Sequence, residues 1–447
     1  MSTVVAEPNP LALVLETHVQ ARTGEPSELS HLRRKAAERF AELGFPSVHE
    51  EEWRFTNVGP IARAGLAPVK SAAKLGPETV APWRLAGAAT RLTFVDGQFA
   101  PELSELGPLP AGAFAGSLAE ALRTRPELVV PHLGRHASFD EHAFVALNTA
   151  AFVDGAFLYL PRRAVVESPI HLLFLAGTTK TGDTTPAAFP RSLVVVDEAA
   201  QATIVETYAG PEGAVYFNGP VTEVVCGPGS VLDHYKLQRE STAAFHLATF
   251  ELYQDRSSHY SLHSISLGGG LVRNDVNTKL DGEGCDSVLN GLYMVRGEQF
   301  VDHHMRVIHA KPHCTSFELF KGILEDRSRA VFNGLIHVYE GAQKTDAKQA
   351  NNNLLMSEQA LVNSNPRLRI FADDVRCTHG STVGQLDDDA VFYLRSRGIG
   401  EEAARSLLTY AFASDIIERI KVPELRRDLD EYLFARLPKG EVVREAV

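Results

Sequence analysis

From about Phe144 onward, apolar and polar residues alternate in short runs bounded by turn residues. Ala156–Leu160, Ile170–Leu175, Ser192–Val196, Ala202–Thr207, Val221–Val225, Ser230–Lys236 and Ala248–Leu252 read as strands. So do His259–Leu267, Val272–Leu280, Ser287–Val295, Met305–His309, Ser316–Leu324 and Arg329–Val338. Asp154-Gly155, Gly210-Pro211, Gly227-Pro228-Gly229, Gly268-Gly269-Gly270 and Gly282-Glu283-Gly284 separate them. So many evenly spaced strands exceed a sandwich of about 100 residues. Helical patterns between them are missing, which argues against a doubly wound α/β fold. A large sandwich or barrel remains open. So does a β-helix, in which each coil buries its face on the next.

The flanks have a different period. Leu11–Gln20 and Ser27–Leu43 carry helical spacing, with Ala36, Phe40 and Leu43 on one face. Leu75 to Leu109 is rich in Ala, Gly and Pro and reads as a linker, with one strand-turn at Leu92–Phe99 around Asp96-Gly97. After Thr382 the helical period returns. Asp387 is placed to cap a helix with Asp388 and Asp389 in its first turn, and Gly398 to end it. A second helix carries Leu407, Leu408, Phe412 and Ile416, and Pro423 is expected to stop it. Glu424–Leu437 reads as a third, amphipathic helix, and the tail from Lys439 as frayed. The expected organisation is a mostly helical region over 1–135, a β core over 136–380 and a helical region over 381–447.

Size and charge narrow the function. A chain of 447 residues suggests two or three units. The content is 44% hydrophobic and 22% charged, which suits a folded globular protein. Net charge is −12 with no basic block, which argues against a nucleic-acid groove and against an anionic membrane surface. No apolar run approaches the roughly 20 residues of a membrane span. Met1 to Pro10 lacks the basic start and apolar core of a secretory signal, so a cytoplasmic location is expected. Cys226, Cys285, Cys314 and Cys377 lie far apart with no CxxC pair, which fits free thiols in a reducing compartment.

Few residues offer chemistry. His303, His304, His309, His313 and Cys314 form the densest cluster. Strand alternation sets His303, His309 and His313 on one parity and His304 and Cys314 on the other. A metal site and a hydrogen-bonded histidine ladder both fit, and the ladder is favoured because no further donor closes a site. Lys321-Gly322-Ile323-Leu324 lacks the ending of a phosphate loop, and the Gly268 run opens no helix. Asn351 to Asn353 suit amide ladders between stacked coils. Cys377 and His379 are spaced i, i+2, which on a strand gives one face and a separation of about 7 Å. They could share a soft or borderline metal, or be a small buried thiol and a satisfied imidazole.

At these residues the sequence resembles the SufB/SufD family of iron–sulfur cluster assembly proteins. The resemblance rests on Phe320–Leu324, Thr345–Gln349, Asn352–Leu355, Ala372–Asp387 and Phe392–Ile399. Glu51–Thr56, Phe144–Ala150 and Asp154-Gly155 fit the same family. The SufB branch carries a cysteine near Asn351–Asn353 and a Glu-His-Glu arrangement near Cys377–Gly380. Both departures favour the SufD branch.

The resemblance implies a mainly β fold: a right-handed parallel β-helix core flanked by helical N-terminal and C-terminal regions. It implies a non-catalytic scaffold that pairs with SufB through the β-helices and docks the SufC ATPase on the C-terminal helices. The isolated chain is also allowed a pair with its own copy. His379, and after it Cys377, would help to hold transient iron or a nascent iron–sulfur cluster at the SufB seam, with no cofactor held permanently. Phe392, Tyr393, Leu394, Arg395, Arg397, Gly398, Leu407, Leu408 and Phe412 would meet the ATPase. The rival reading, a β-helical polysaccharide-processing enzyme, needs a groove of carboxylates with Arg or Lys, and no such cluster stands out.

Overall fold

The computed structural model describes residues 10–20, 22 and 25–447. The expectation of no export signal falls largely on residues 1–9, outside the described residues. From Ala156 onward the strands wind between two mainly parallel sheets, alternating strictly from Val221, and make a β-solenoid of about 7 turns. Among the described residues the sheets hold 12 and 10 strands. Asp286 pairs with Thr315 in one sheet and Phe300 with Arg329 in the other, each 29 residues on. Elsewhere the offset varies, which is why no strict repeat shows in the sequence. Thr315, for example, pairs with Asp346.

Alternation decides what lines the lumen. Val301, His303, Met305, Val307 and His309 share one parity and are buried, whereas His304 has the other and faces outward. Leu232, Tyr260, Leu289, Phe320 and Leu324 come inward from the opposite sheet into the same core. The outer faces are covered by helices. Pro10–Gln20, Ser27–Leu43 and Ala143–Ala151 lie on the first sheet, where Leu15, Phe40 and Leu147 join Phe189, Phe217 and Leu271. Glu401–Ile417 and Pro423–Arg436 lie on the second, where Ile416, Leu425 and Leu429 meet Tyr235, Leu292 and Ile323. None of the described helices is long and apolar enough to cross a membrane.

The two ends of the solenoid differ. At the first end, Phe114–Ser117 runs antiparallel to Ala156–Leu160 and Gln98–Phe99 antiparallel to Thr90–Val95. Phe99, Leu109 and Ala113 then cover the core there. At the other end, Leu361–Ile370 and Arg376–Gly384 each pair on one edge only.

Several expectations need correction. The region read as a linker packs Val80, Val95 and Leu103 into a core of their own. Pro423 starts the third C-terminal helix rather than stopping the second, which ends at Ile417, because proline's missing N–H costs nothing in a first turn. The tail is a helix, Gly440–Ala446, with Val443 buried. The parity placed on His313 and Cys314 fails because the strand ends at His309 and His313 turns with φ +59°.

Candidate functional site at the last turn

The last turn is built from Leu361–Ile370 and Arg376–Gly384. Its outer backbone edges carry unpaired N–H and C=O groups, the surface onto which another strand adds. Leu361, Ile370, Phe371 and Val383 are exposed, with Phe371 at 53% and Val383 at 51%. Parity explains this for Ile370 and Val383, whereas Leu361 is in register with exposed Arg329 and Phe371 follows the strand. Val383 is in register with buried Asn353, so it points along the lumen with no further turn to cover it.

Cys377, His379 and Ser381 share that parity, in register with buried Ala347, Gln349 and Asn351. The structure therefore puts Cys377 and His379 on one strand and one face. Their surroundings differ. Cys377 is half-buried against the cluster of Ile336, Val338, Ala347 and Ala372, and burial pushes its thiol up. His379 is exposed.

Beneath them the lumen is polar. The Tyr293 hydroxyl donates to Asn353 Oδ1 (2.5 Å) and accepts from Asn351 Nδ2 (3.0 Å). Asn353 Nδ2 and the Ser364 hydroxyl both donate to Asn351 Oδ1 at 2.7 Å, and Ser381 donates to Ser364 (2.8 Å). The expected amide ladder is thus a network through a tyrosine and two serines that surfaces at the last turn. Burial raises the Glu318 carboxyl to about 8.

The other histidines and cysteines have local jobs. His303 packs at a tilt between Tyr293 and Phe320, with ring centroids 5.1 and 5.2 Å away. His309 Nε2 meets the Ser316 hydroxyl at 2.9 Å, and His304 Nε2 pairs with Glu52 at 2.5 Å. No group of three or more His, Cys, Asp and Glu side chains that could hold a metal occurs among the described residues. All four cysteines are free. Cys285 and Cys314 occupy a corner that Ser258 and Thr345 fill on neighbouring turns. Ser258 donates to Asp255 O, Cys285 to Gly282 O and Thr345 to Ala342 O, each closing the bend behind it.

Motifs far from the last turn brace the fold. Arg273 stacks on Trp53 at 3.8 Å, donates to Glu52 O (2.8 Å) and pairs with Asp302 (2.8 Å), to which Thr56 also donates (2.6 Å). Glu51 reaches Arg367 on the last turn at 3.1 Å. Asn148 bonds Pro190 O and Gly219 O. Asp154 accepts from Ser117 and Ala119 N, and a side chain at Gly155 would meet Arg191 O at 2.0 Å.

The helix Asp388–Ser396 follows the last strand directly, capped by Asp387 as expected. Phe392 is 71% exposed and Tyr393 is also exposed. Leu394, Leu407 and Leu408 are half-buried, and Arg395, Arg397 and Gly398 are exposed. Phe412 packs on the second sheet beneath Lys321, whose ammonium donates to Phe412 O (3.1 Å) and pairs with Asp415 (2.7 Å). The exposed apolar set of the last turn went unread in the sequence, because scattered apolar residues in a polar stretch give no periodic signal.

Fold and ends together define a class: a parallel β-solenoid braced by helices on both faces, closed at one end by its own chain and bare at the other. Residues 11–172 match the family model for the SufBD protein N-terminal region, and residues 178–412 that for the SufBD core domain of the SUF system for FeS cluster assembly. The chain belongs to the SufBD family of iron–sulfur cluster assembly proteins. It is 34% identical over 424 residues to a SufBD family protein of Synechocystis, covering 92% of each chain. It is 30% identical over 397 residues to the iron–sulfur cluster assembly protein SufD of Escherichia coli, covering 89% of this chain and 90% of the relative. With SufD of Bacillus subtilis it shares 27% over 416 residues, 91% of this chain and 93% of the relative.

Proposed function

We propose that this chain is a SufD-type, non-catalytic scaffold working in the cytoplasm. It joins a SufB-type solenoid end to end through its last turn. The observation that carries this reading is the bare last turn, with two strands paired on one edge only and four exposed apolar side chains where the opposite end is covered. His379 and Cys377 then face the seam. Two donors make only half of a site, so the partner supplies the rest, and iron or a nascent cluster is the cargo held between the chains. The exposed aromatics of Asp388–Ser396 support docking of an ATPase beside the seam. Closure of that ATPase on ATP would pull these helices and shift the seam, the two-state element this coupling requires.

The test is co-purification of the chain with a SufB-type partner. Val383→Asp and Phe371→Asp should weaken pairing at least about tenfold, since each sets a charge against an apolar contact. Pairing at wild-type strength by both variants would remove the last turn from the interface. Iron bound by the purified pair should fall in His379→Ala, and by less in Cys377→Ala.

A further inference from the structure

One file of side chains beneath the last turn has a loose end. Glu318, Gln349 and His379 are in register on three successive turns. Below Glu318 the file turns apolar at Leu289. Gln349 Nε2 donates to Glu318 Oε2 at 3.1 Å, which commits the donor end of the amide inward. Gln349 Oε1 is buried and has no hydrogen-bond partner. A buried amide oxygen left unpaired is costly, so its presence asks for a donor.

Space for the amide is kept open deliberately. Gly334 stands across the lumen, and a β-carbon there would meet Gln349 Nε2 at 2.4 Å and Oε1 at 2.6 Å. The next side chain in the file is His379, on a turn stacked about 4.8 Å away, which is within reach of a tilted imidazole N–H.

We propose that Gln349 is a positioning residue for His379: its amide oxygen accepts one imidazole N–H and leaves the other ring nitrogen free for metal. The metal half of this statement rests on the reading of His379 as a ligand given above. The arrangement is that of a metal-bound histidine whose second nitrogen is held by an outer acceptor, which fixes the tautomer and the ring plane. Glu318 holds the amide in turn, so the order set in the lumen reaches the exposed ring through two hydrogen bonds.

The experiment uses the full chain co-purified with a SufB-type partner, cobalt(II) alone as the metal probe, and the variants His379→Ala, Gln349→Leu and Gln349→Glu, each checked for folding by urea titration. Cobalt affinity is read from ligand-field absorbance. The tautomer is read without metal from the 15N shifts of the His379 ring. Gln349→Leu should bind cobalt about tenfold more weakly and release the ring into a mixture of tautomers, whereas Gln349→Glu, which keeps an acceptor, should stay near wild type. Equal affinity and an equal tautomer ratio in wild type and Gln349→Leu would overturn the proposal. A parallel fall in Gln349→Leu and Gln349→Glu would overturn it too, because it marks a role in packing alone. Unchanged cobalt binding in His379→Ala would remove the metal reading instead, and the ring shifts would then decide the positioning role without it.

Discussion

Lys236 is buried in the lumen between two carboxylates. It donates to His246 Nε2 (3.0 Å) and to Asn274, and burial lowers it to about 8. Burial pushes Glu206 up, but His234 at 2.9 Å, Tyr208 and Lys236 together hold it below the usual carboxylate range. Glu240 pairs with His246 at 2.6 Å. Removing the cation from such a cluster leaves buried negative charge unmatched, so Lys236→Met should cost roughly 3–5 kcal/mol, read by urea unfolding. Glu318 behaves in the opposite sense. Burial raises it from 4.5 to about 8, so the folded chain keeps a proton that the unfolded chain loses. Its contribution is therefore full below pH about 4.5 and lost as pH rises through about 8. Glu318→Gln, which still accepts from Gln349, should match wild type near pH 5 and exceed it by roughly 1–3 kcal/mol at pH 8.5. Strand parity in the sequence was enough to split His303 from His304. It could not show that Gln349 lies beneath His379, because register between turns depends on corner lengths that vary.

Elements were legible where both faces are buried. Ala156–Leu160, Ile170–Leu175 and Arg329–Val338 end where the pattern placed them. Leu361–Ile370 was missed, for it holds Pro366 amid Asn, Ser and Arg, and a proline argues against an inner strand. The last turn tolerates it, since only one edge of that strand is paired. The C-terminal helices were placed, but their seat was not. Lys321, which looked like part of a failed phosphate loop, is the peg that holds Glu401–Ile417 to the second sheet. Lys321→Met should destabilise the chain by about 1–2 kcal/mol and speed hydrogen exchange across that helix before the sheet beneath it.

At the scale of the molecule, helices bind sheets that share one lumen, and the N-terminal segment spans the first sheet to reach the last turn through Glu51 and Arg367. None of this layering was available from periodicity alone, which left a barrel and a β-helix open. The motifs of Ala372–Asp387 and Phe392–Ile399 decided it through resemblance. Stability in a solenoid falls toward an uncovered terminus. Hydrogen exchange should thus be fastest, among the solenoid strands, in Leu361–Ile370 and Arg376–Gly384. It should slow there, and little elsewhere, when the SufB-type partner is added. The unequal ends have one more consequence. A stack of sheets open at both ends would invite another copy on each side and grow into a fibre. On the end-to-end pairing proposed above, two chains meeting at their bare ends would leave a third nothing to add to, so growth would stop at two.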